Sequence, residues 1–337
     1  MKKILLDASK GFYKGNMHCH STLSDGKMTP EELKAFYKAR GYSFLAITDH
    51  DHINDNSYLN DADFITITSG EFAIKEFPEQ STLVNQKMKC AHFNFYAKDP
   101  HNTSIPWWSP VYDKYSKGER REQIMKEYDL GYQRRYSADG VNELVRMANA
   151  EGYFVSYNHP RWSLENYKQY SGYEGFWAVE IYNNACQMGG IYEYDINVHD
   201  DFLRDGKKIF VTNGDDSHSE KTCGAAFVCV NAEALTYENI IDALLAGNFY
   251  ASTGPVIRSL YFEDGKLFIQ SSEAAMISIS TEGRRHNAVL SADGAAVTEA
   301  AFALREDDGY VRVCITDAKG RRADSQAYDV KALFEEA

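Results

Sequence analysis

Two histidines separated by one residue, His18 and His20, follow a short apolar stretch near the start of the chain. On an extended segment their side chains point the same way, because strand side chains alternate between faces. Neighbouring neutral imidazoles are well suited to holding a metal ion. The intervening Cys19 should face the other side and pack in the core. The pair therefore predicts a metal-assisted reaction, with hydrolysis as the leading interpretation.

Further metal-binding residue types follow along the chain, in motifs such as Ser24-Asp25-Gly26 and Thr48-Asp49-His50-Asp51. The full set of candidate metal ligands is His18, His20, Asp25, His50, Glu71, His92, His159, Asp216 and His218. Burying so many ionisable groups together would be costly without cations. Histidine and carboxylate ligands without cysteine suit zinc, manganese or iron. Since these ligands exceed the needs of one ion, we expect two or three divalent ions, with at least one carboxylate bridging them.

The elements that must position these residues alternate between apolar runs and helix-like segments from about residue 14 to 250, as in an α/β domain with parallel strands. Thr29-Pro30-Glu31-Glu32 predicts a capped helix start, and Gly41 predicts its end. Most strand candidates carry a polar residue at or just past their C-terminal end, where β/α barrels build active sites. The candidates are Phe44 to Ile47, Phe64 to Thr68, Ala91 to Tyr96, Tyr153 to Tyr157, Trp177 to Tyr182, Ile209 to Thr212 and Ala226 to Val230.

Two segments depart from this alternation. Residues 101–138 are aromatic and basic, with Trp107-Trp108 and Arg134-Arg135, and predict either a lid over the site or a surface insertion. After Ser252-Thr253-Gly254-Pro255, short alternating runs are separated by the turn signals Asp264-Gly265, Asp293-Gly294 and Asp308-Gly309. We therefore predict a catalytic domain over 1–253 and a small all-β, sandwich-like domain over 254–337.

Composition restricts the classes of protein. The chain has 337 residues, of which 44% are hydrophobic, and its formal net charge is -13. No run is long enough to cross a bilayer, no signal peptide is recognisable, and the six cysteines lack framework spacing, so a cytoplasmic protein is expected. The negative charge argues against long nucleic acids but allows a small anionic substrate, since bound cations reverse the local field. Nothing in the sequence indicates the oligomeric state.

The order of the motifs resembles the PHP (polymerase and histidinol phosphatase) domain family. The matching motifs are His18-Cys19-His20, Ser24-Asp25-Gly26, Thr48-Asp49-His50-Asp51, Gly70-Glu71-Phe72, Asn158-His159-Pro160 and Asp215-Asp216-Ser217-His218. The resemblance implies a distorted (β/α)7 barrel with a trinuclear metal site. The trailing β module resembles a two-domain subgroup that includes predicted phosphoesterases and carbamate hydrolases of the CehA/McbA-like type.

The resemblance also implies how the ligands are shared. One metal would take His18, His20, Glu71 and Asp216. A second would share Glu71 and add His92 and His159, and a third would take Asp25, His50 and His218. Asp25 stands where some family members have histidine.

The leading functional hypothesis is hydrolysis of a small phosphate ester, nucleotide-like or another phosphomonoester, by a metal-bound hydroxide. Asp25 and Glu71 would take part in catalysis, and Arg161 would bind the substrate anion, unless it pairs with an acidic neighbour. An alternative is a carbamate, amide or ester hydrolase with the same metals, for which Trp107 and Trp108 would supply aromatic walls. An alternative from another class is a non-catalytic binding module.

Overall fold

The computed structural model describes residues 2–80, 85–128, 132–192, 194–292 and 295–335. The chain forms two compact units, one of Gly15–Gly224 and one of Met1–Lys14 with Ala225–Ala337. The division of the sequence into domains 1–253 and 254–337 stays a prediction. The turn signal at 293–294 and part of the 101–138 segment, residues 129–131, lie outside the described residues.

Strands and helices are numbered along the chain. The strands are β1 Lys2–Leu6, β2 Gly11–Asn16, β3 Phe44–Ile47, β4 Ile65–Lys75, β5 Cys90–Ala97, β6 Tyr153–Asn158, β7 Ala178–Asn183, β8 Phe210–Gly214, β9 Phe227–Ala232, β10 Phe249–Ser252, β11 Ile257–Glu263, β12 Lys266–Ala274, β13 Met276–Thr281, β14 His286–Leu290, β15 Val297–Ala303, β16 Tyr310–Thr316, β17 Arg322–Ser325 and β18 Tyr328–Asp329. The helices are α1 Pro30–Lys38, α2 Gly118–Glu127, α3 Ala138–Ala150, α4 Tyr167–Tyr170, α5 Asn184–Met188, α6 Ile196–Arg204, α7 Tyr237–Leu245 and α8 Val330–Glu335.

The unit of residues 15–224 is a mixed α/β structure around one large sheet. Its strand order is β2-β3-β4-β5-β6-β7-β8. The pairs β2-β3, β3-β4, β6-β7 and β7-β8 are parallel, as predicted. The pairs β4-β5 and β5-β6 are antiparallel, so the expectation of parallel strands throughout is wrong at β5. The described residues between β4 and β5, 76–80 and 85–89, form no helix, and a strand that returns without a long crossover must run antiparallel.

The two ends of this sheet approach each other beyond β2 and β8. Cys19 and Ser217 form an isolated parallel bridge, and the His20 N–H donates to the Ser217 carbonyl at 2.9 Å. Within the described residues the strand path does not close, so a (β/α)7 barrel stays a prediction. The bridge nevertheless places His18 and His20 beside the segment that carries Asp216 and His218.

Local sequence explains how these elements begin and end. Thr29 caps α1, and its hydroxyl accepts from the Glu32 N–H while the Glu32 carboxylate accepts from the Thr29 N–H, as the capping-box pattern predicts. The β3 run Phe44–Ile47 is buried along its whole length, as expected for a strand covered on both faces. The apolar strands thus fix the sheet, and the loops that leave it carry most of the candidate ligands.

The other unit is rich in antiparallel strands. One sheet has the order β1-β11-β12-β15, and the strands β14-β13-β16-β17-β10-β9 follow one another in a second sheet. Asp264 and Gly265 both have positive φ, at 48° and 75°, in the turn between β11 and β12, as a two-residue hairpin requires. Since α8 lies at its end, the expected all-β domain over 254–337 is not confirmed. None of the described helices is long and apolar enough to cross a bilayer.

Candidate metal centre

The structure brings all the predicted metal ligands into one cluster within the unit of residues 15–224. They form four overlapping groups whose ligand atoms lie within 4.8 Å of one another. These groups are His18, His20 and Glu71; His18, His159 and Asp216; His50, Glu71 and His92; and His20, Asp25, His50 and His218. Ligand atoms that share one ion at about 2.1 Å must lie about 3–4 Å apart.

Most ligands lie in the loops after strands, as predicted, but two lie inside strands. Glu71 is in the middle of β4, and His92 is the third residue of β5. The strand continues past Glu71 because Ala73 pairs with His92 in the antiparallel ladder. His50 approaches Glu71 through an isolated parallel bridge, with the Glu71 N–H donating to the Asp49 carbonyl at 3.0 Å.

His18 belongs to two of these groups, one with His20 and Glu71 and one with His159 and Asp216. His18 Nε2 lies 3.3 Å from His20 Nε2, 3.2 Å from Glu71 Oε1 and 3.3 Å from Asp216 Oδ1. His20 Nε2 lies 3.0 Å from Asp216 Oδ1 and 3.6 Å from Glu71 Oε2. These separations lie in the range expected for nitrogen and oxygen atoms that share a first-row metal ion.

A second group surrounds the other side of Glu71. Its Oε1 lies 3.1 Å from His92 Nδ1 and 3.3 Å from His159 Nε2, and its Oε2 lies 3.0 Å from His50 Nδ1. His50 therefore reaches the Glu71 carboxylate as closely as His92 does, which the predicted division of ligands did not anticipate. Glu71 is 1% exposed and is positioned to bridge two ions.

The third group lies at the more open edge of the cluster. Asp25 Oδ1 lies 3.3 Å from His218 Nε2 and 3.8 Å from His20 Nδ1, and its Oδ2 lies 3.6 Å from His50 Nε2. The side chains of Asp25 and His218 are 35% and 39% exposed. This group therefore has direct access to solvent.

Burial and neighbouring charges shift the pKa values of the cluster residues in different directions. Burial alone would lower the pKa of His18, but the Asp216, Glu180 and Glu71 carboxylates outweigh it and raise that pKa well above the ordinary value. Burial lowers the pKa of His20 to about 4, and neighbouring imidazoles act in the same direction. Burial alone would raise the pKa of the Glu71 carboxyl, but His92 and His18 outweigh it and hold that pKa well below the usual range. Without another cation, the carboxylates of the cluster are neutralised by protons on its histidines.

These residues fit divalent metal ions. Two ring nitrogens, His20 Nδ1 and His159 Nδ1, are buried without a hydrogen-bond partner among the described residues. Orphaned buried nitrogens are costly unless something binds them. His20 Nδ1 faces the Asp25 group, so an ion there would bind one of these unpaired nitrogens. Cations would also replace protons on the histidines whose pKa is raised, such as His18 and His50.

Residues behind the ligands hold them in place. Glu180 Oε1 lies 3.0 Å from His18 Nδ1, while its Oε2 accepts from the His159 N–H at 3.2 Å and from Asn183 Nδ2 at 3.0 Å. Asn158 Nδ2 donates to Glu71 Oε1 at 3.0 Å, and Asn183 Nδ2 to Asp216 Oδ2 at 3.2 Å. Asn158 ends β6 and directly precedes the ligand His159, and Asn183 ends β7. These positions are the only signal by which the sequence could have indicated the two asparagines.

Replacing Glu180 by Gln is expected to weaken zinc binding about 10- to 100-fold, because the carboxylate that orients His18 and raises its basicity is lost. The measurement is a zinc titration against a competing chelator. Glu174→Gln, at an exposed position outside the cluster, should bind zinc like the wild type. Equal affinity of both variants would show that Glu180 does not position His18.

The backbone at the cluster adopts conformations that side-chain-bearing residues rarely take. Asp51, His159 and Asp216 have φ values of 58°, 26° and 48°. Such angles cost about 1–3 kcal/mol each and are concentrated at functional sites. Here they turn His159 and Asp216 back toward Glu71 at the points where β6 and β8 end.

Asp49 fixes the loop that carries Asp25. Its Oδ1 accepts from the Ser21 N–H at 2.8 Å and from Ser24 Oγ at 2.6 Å, and its Oδ2 accepts from Ser21 Oγ at 2.7 Å. The Thr48-Asp49-His50 motif thus supplies one ligand and one group that orders the neighbouring ligand loop.

A cavity of about 650 Å³ opens onto the cluster. Its wall includes Tyr112, Lys114 and Tyr115 from the 101–138 segment, together with Lys75 and Trp162. That segment therefore does contribute to the site. A volume of this size accommodates a small organic substrate.

Several residues that sequence reasoning favoured lie elsewhere. Arg161 Nη2 lies 3.3 Å from Asp195 Oδ1, its side chain is 52% exposed, and it is not among the described residues that line the cavity. Trp107 and Trp108 are fully buried and do not form aromatic walls; Trp107 packs against Phe95, with ring centroids 5.0 Å apart. The aromatic residues of the wall are Tyr112, Tyr115 and Trp162 instead.

Comparison with known proteins gives structural neighbours only. A two-domain protein containing a predicted PHP-like metal-dependent phosphoesterase from Bacteroides vulgatus matches at 14% identity, with a TM-score of 0.44 and 96% of each chain covered. An amidohydrolase from Chromobacterium violaceum matches 70% of this chain with 96% of its own, at 14% identity and a TM-score of 0.37. A lesion-specific endonuclease from Pyrococcus furiosus matches 70% of this chain with 56% of its own, at 14% identity and a TM-score of 0.35.

No protein-family model matches the chain, and neither does any curated protein. The Bacteroides protein carries the name of the family that the sequence motifs resemble. At these identities and TM-scores, the activity of a neighbour cannot be assigned to this chain. The function therefore has to be inferred from the chain's own residues.

Proposed function

We propose that the chain is a metal-dependent hydrolase that cleaves a small phosphate ester. The observation that carries the proposal is the convergence of six histidines and three carboxylates, Glu71 among them, at a cavity of about 650 Å³. Two or three divalent ions of zinc, manganese or iron would be held by His18, His20, Asp25, His50, Glu71, His92, His159, Asp216 and His218. Bound there, they would activate a water molecule and neutralise negative charge on the substrate oxygens.

The protein's own groups hold and orient the reactants. Glu71 and Asp216 remain ionised in the cluster, and the pKa of each lies well below its usual range because the surrounding histidines outweigh burial. Tyr115 Oη lies 3.4 Å from Asp25 Oδ2 at the cavity wall. Burial and the Asp25 carboxylate raise the pKa of Tyr115 to about 12, and its protonated hydroxyl donates to Asp25 at the cavity wall.

A second candidate is hydrolysis of a carbamate, amide or aryl ester at the same cluster. Tyr112, Tyr115 and Trp162 favour it, because they line the cavity and aromatic walls suit an aryl or acyl group. The two candidates share the metal ligands and differ in the bond that is broken.

The deciding experiment measures phosphate release from small phosphate esters, including nucleotides and bisphosphates, with manganese, zinc or iron supplied in turn. Carbamates and aryl esters are assayed in parallel. His18→Ala should lose turnover, whereas His101→Ala, on a side chain 72% exposed, should keep it. Phosphate release that persists in His18→Ala would contradict the proposal. Turnover of carbamates or aryl esters alone would favour the second candidate, and an inactive protein that binds no metal would favour a binding module.

A further inference from the structure

Two lysines face the same cavity as the cluster. Lys75 and Lys114 line its wall, and neither forms an ion pair with a carboxylate anywhere in the described parts of the chain. Lys75 Nζ lies over the Tyr112 ring, 5.6 Å from its centroid. A cation that faces a cavity without a protein counter-ion is available to an anionic ligand.

The carboxylates of the same cavity are already matched with other groups. Glu71, Asp216 and Asp25 belong to the histidine cluster. Asp51, the one other acidic residue of the wall among those that the structure describes, pairs with the buried guanidinium of Arg134. Among the described residues of the wall, Lys75 and Lys114 therefore form no ion pair with these carboxylates.

The position of Lys75 on its strand gives the separation of its backbone from that of Glu71. Glu71, Ala73 and Lys75 alternate along β4, so their side chains point to one face, and all three line the cavity. Four residues of extended strand span about 13 Å. The cavity thus has the metal ligands at one end of this stretch of β4 and an ammonium group at the other.

We propose that Lys75 and Lys114 form a subsite for a second anionic group of the substrate, remote from the bond that is cleaved. The substrate class is an elongated molecule with two acidic groups, one bound at the metal cluster and one at the lysines. This inference rests on the proposed function, which places the first acidic group at the metal cluster. It adds a preference for substrates that carry a second acidic group. It also replaces Arg161 with Lys75 and Lys114 as the residues that bind the substrate anion away from the metals.

The test measures binding, so it does not depend on turnover. Isothermal titration of the zinc-loaded protein compares alkane-1,ω-bisphosphonates of two to eight carbons with monophosphonates of the same chain lengths. In the wild type, a bisphosphonate long enough to reach Lys75 should bind about tenfold or more tightly than its monophosphonate, as expected for a charge-assisted contact. The double variant Lys75→Gln/Lys114→Gln should lose this advantage and keep the affinity for monophosphonates.

Lys98→Gln serves as the matched control, because Lys98 is an exposed lysine in the loop after β5. It should keep the full advantage of the bisphosphonates. Equal affinity for the two ligand series in the wild type, or an advantage retained in the double variant, would overturn the subsite while leaving the proposed function intact. If the zinc-loaded protein bound neither series, both the subsite and the proposed function would be rejected.

Discussion

Replacement of Glu71 by Gln is expected to lower the rate of metal-dependent hydrolysis by at least about a thousandfold, which corresponds to about 4 kcal/mol of transition-state stabilisation. Glu71 stands at the centre of the cluster. Its two oxygens lie 3.2 Å, 3.6 Å, 3.0 Å, 3.1 Å and 3.3 Å from nitrogens of His18, His20, His50, His92 and His159. An amide in this place removes the negative charge and one of the two bridging oxygens.

The same variant should hold fewer metal ions, because two ligand groups share this carboxylate. Metal content by mass spectrometry and phosphate release should therefore fall together. Glu76→Gln, five residues further along and exposed, makes the same chemical change outside the cluster and should leave both quantities unchanged. A Glu71→Gln protein with full metal content and full turnover would show that the cluster is not the active site.

The sequence predicted most of the cluster because its members are chemically distinctive. Histidines and acids just past apolar strands are unusual enough to be recognised without a structure, and His18, His20, His50 and His159 lie in such loops. His92 lies inside the predicted strand Ala91 to Tyr96, whereas Glu71, expected just past the predicted strand Phe64 to Thr68, lies inside the longer β4. That place depends on the antiparallel pairing of β4 with β5, a non-local contact that the local sequence pattern does not encode.

The proposed anion-binding residues differ from the one that the sequence predicted, for a reason of charge pairing. Arg161 follows the His159 motif directly, but its side chain turns to Asp195 at the surface. Lys75 and Lys114 belong to no recognised motif. Their proposed role in anion binding depends on the fact that the described carboxylates of the cavity pair with other groups. Charge pairing is a property of the folded chain, so the position of Arg161 next to a metal-ligand motif does not show which groups its side chain contacts.

Arg134 and Arg135 also show that the partners of a charged residue depend on the folded structure rather than on its neighbours in sequence. Arg134 is buried, pairs with Asp51, donates to the Ala73 carbonyl at 2.9 Å and stacks over Tyr112 at 4.4 Å. Arg135 points to solvent and pairs with Glu143 at 2.5 Å, with 63% of its side chain exposed. Two identical residues, adjacent in sequence, are thus expected to differ sharply in their contribution to stability.

Arg134→Met is expected to reduce the free energy of unfolding by about 3–5 kcal/mol, because it leaves the Asp51 carboxylate buried without a counter-ion. Arg135→Met should cost less than about 1 kcal/mol, since an exposed ion pair is screened by water. Urea unfolding followed by circular dichroism measures both. Adding Asp51→Asn to Arg134→Met should restore part of the loss, and asparagine tolerates the positive φ of 58° at this position. Equal losses in the two single variants would show that the buried pair does not stabilise the cavity wall.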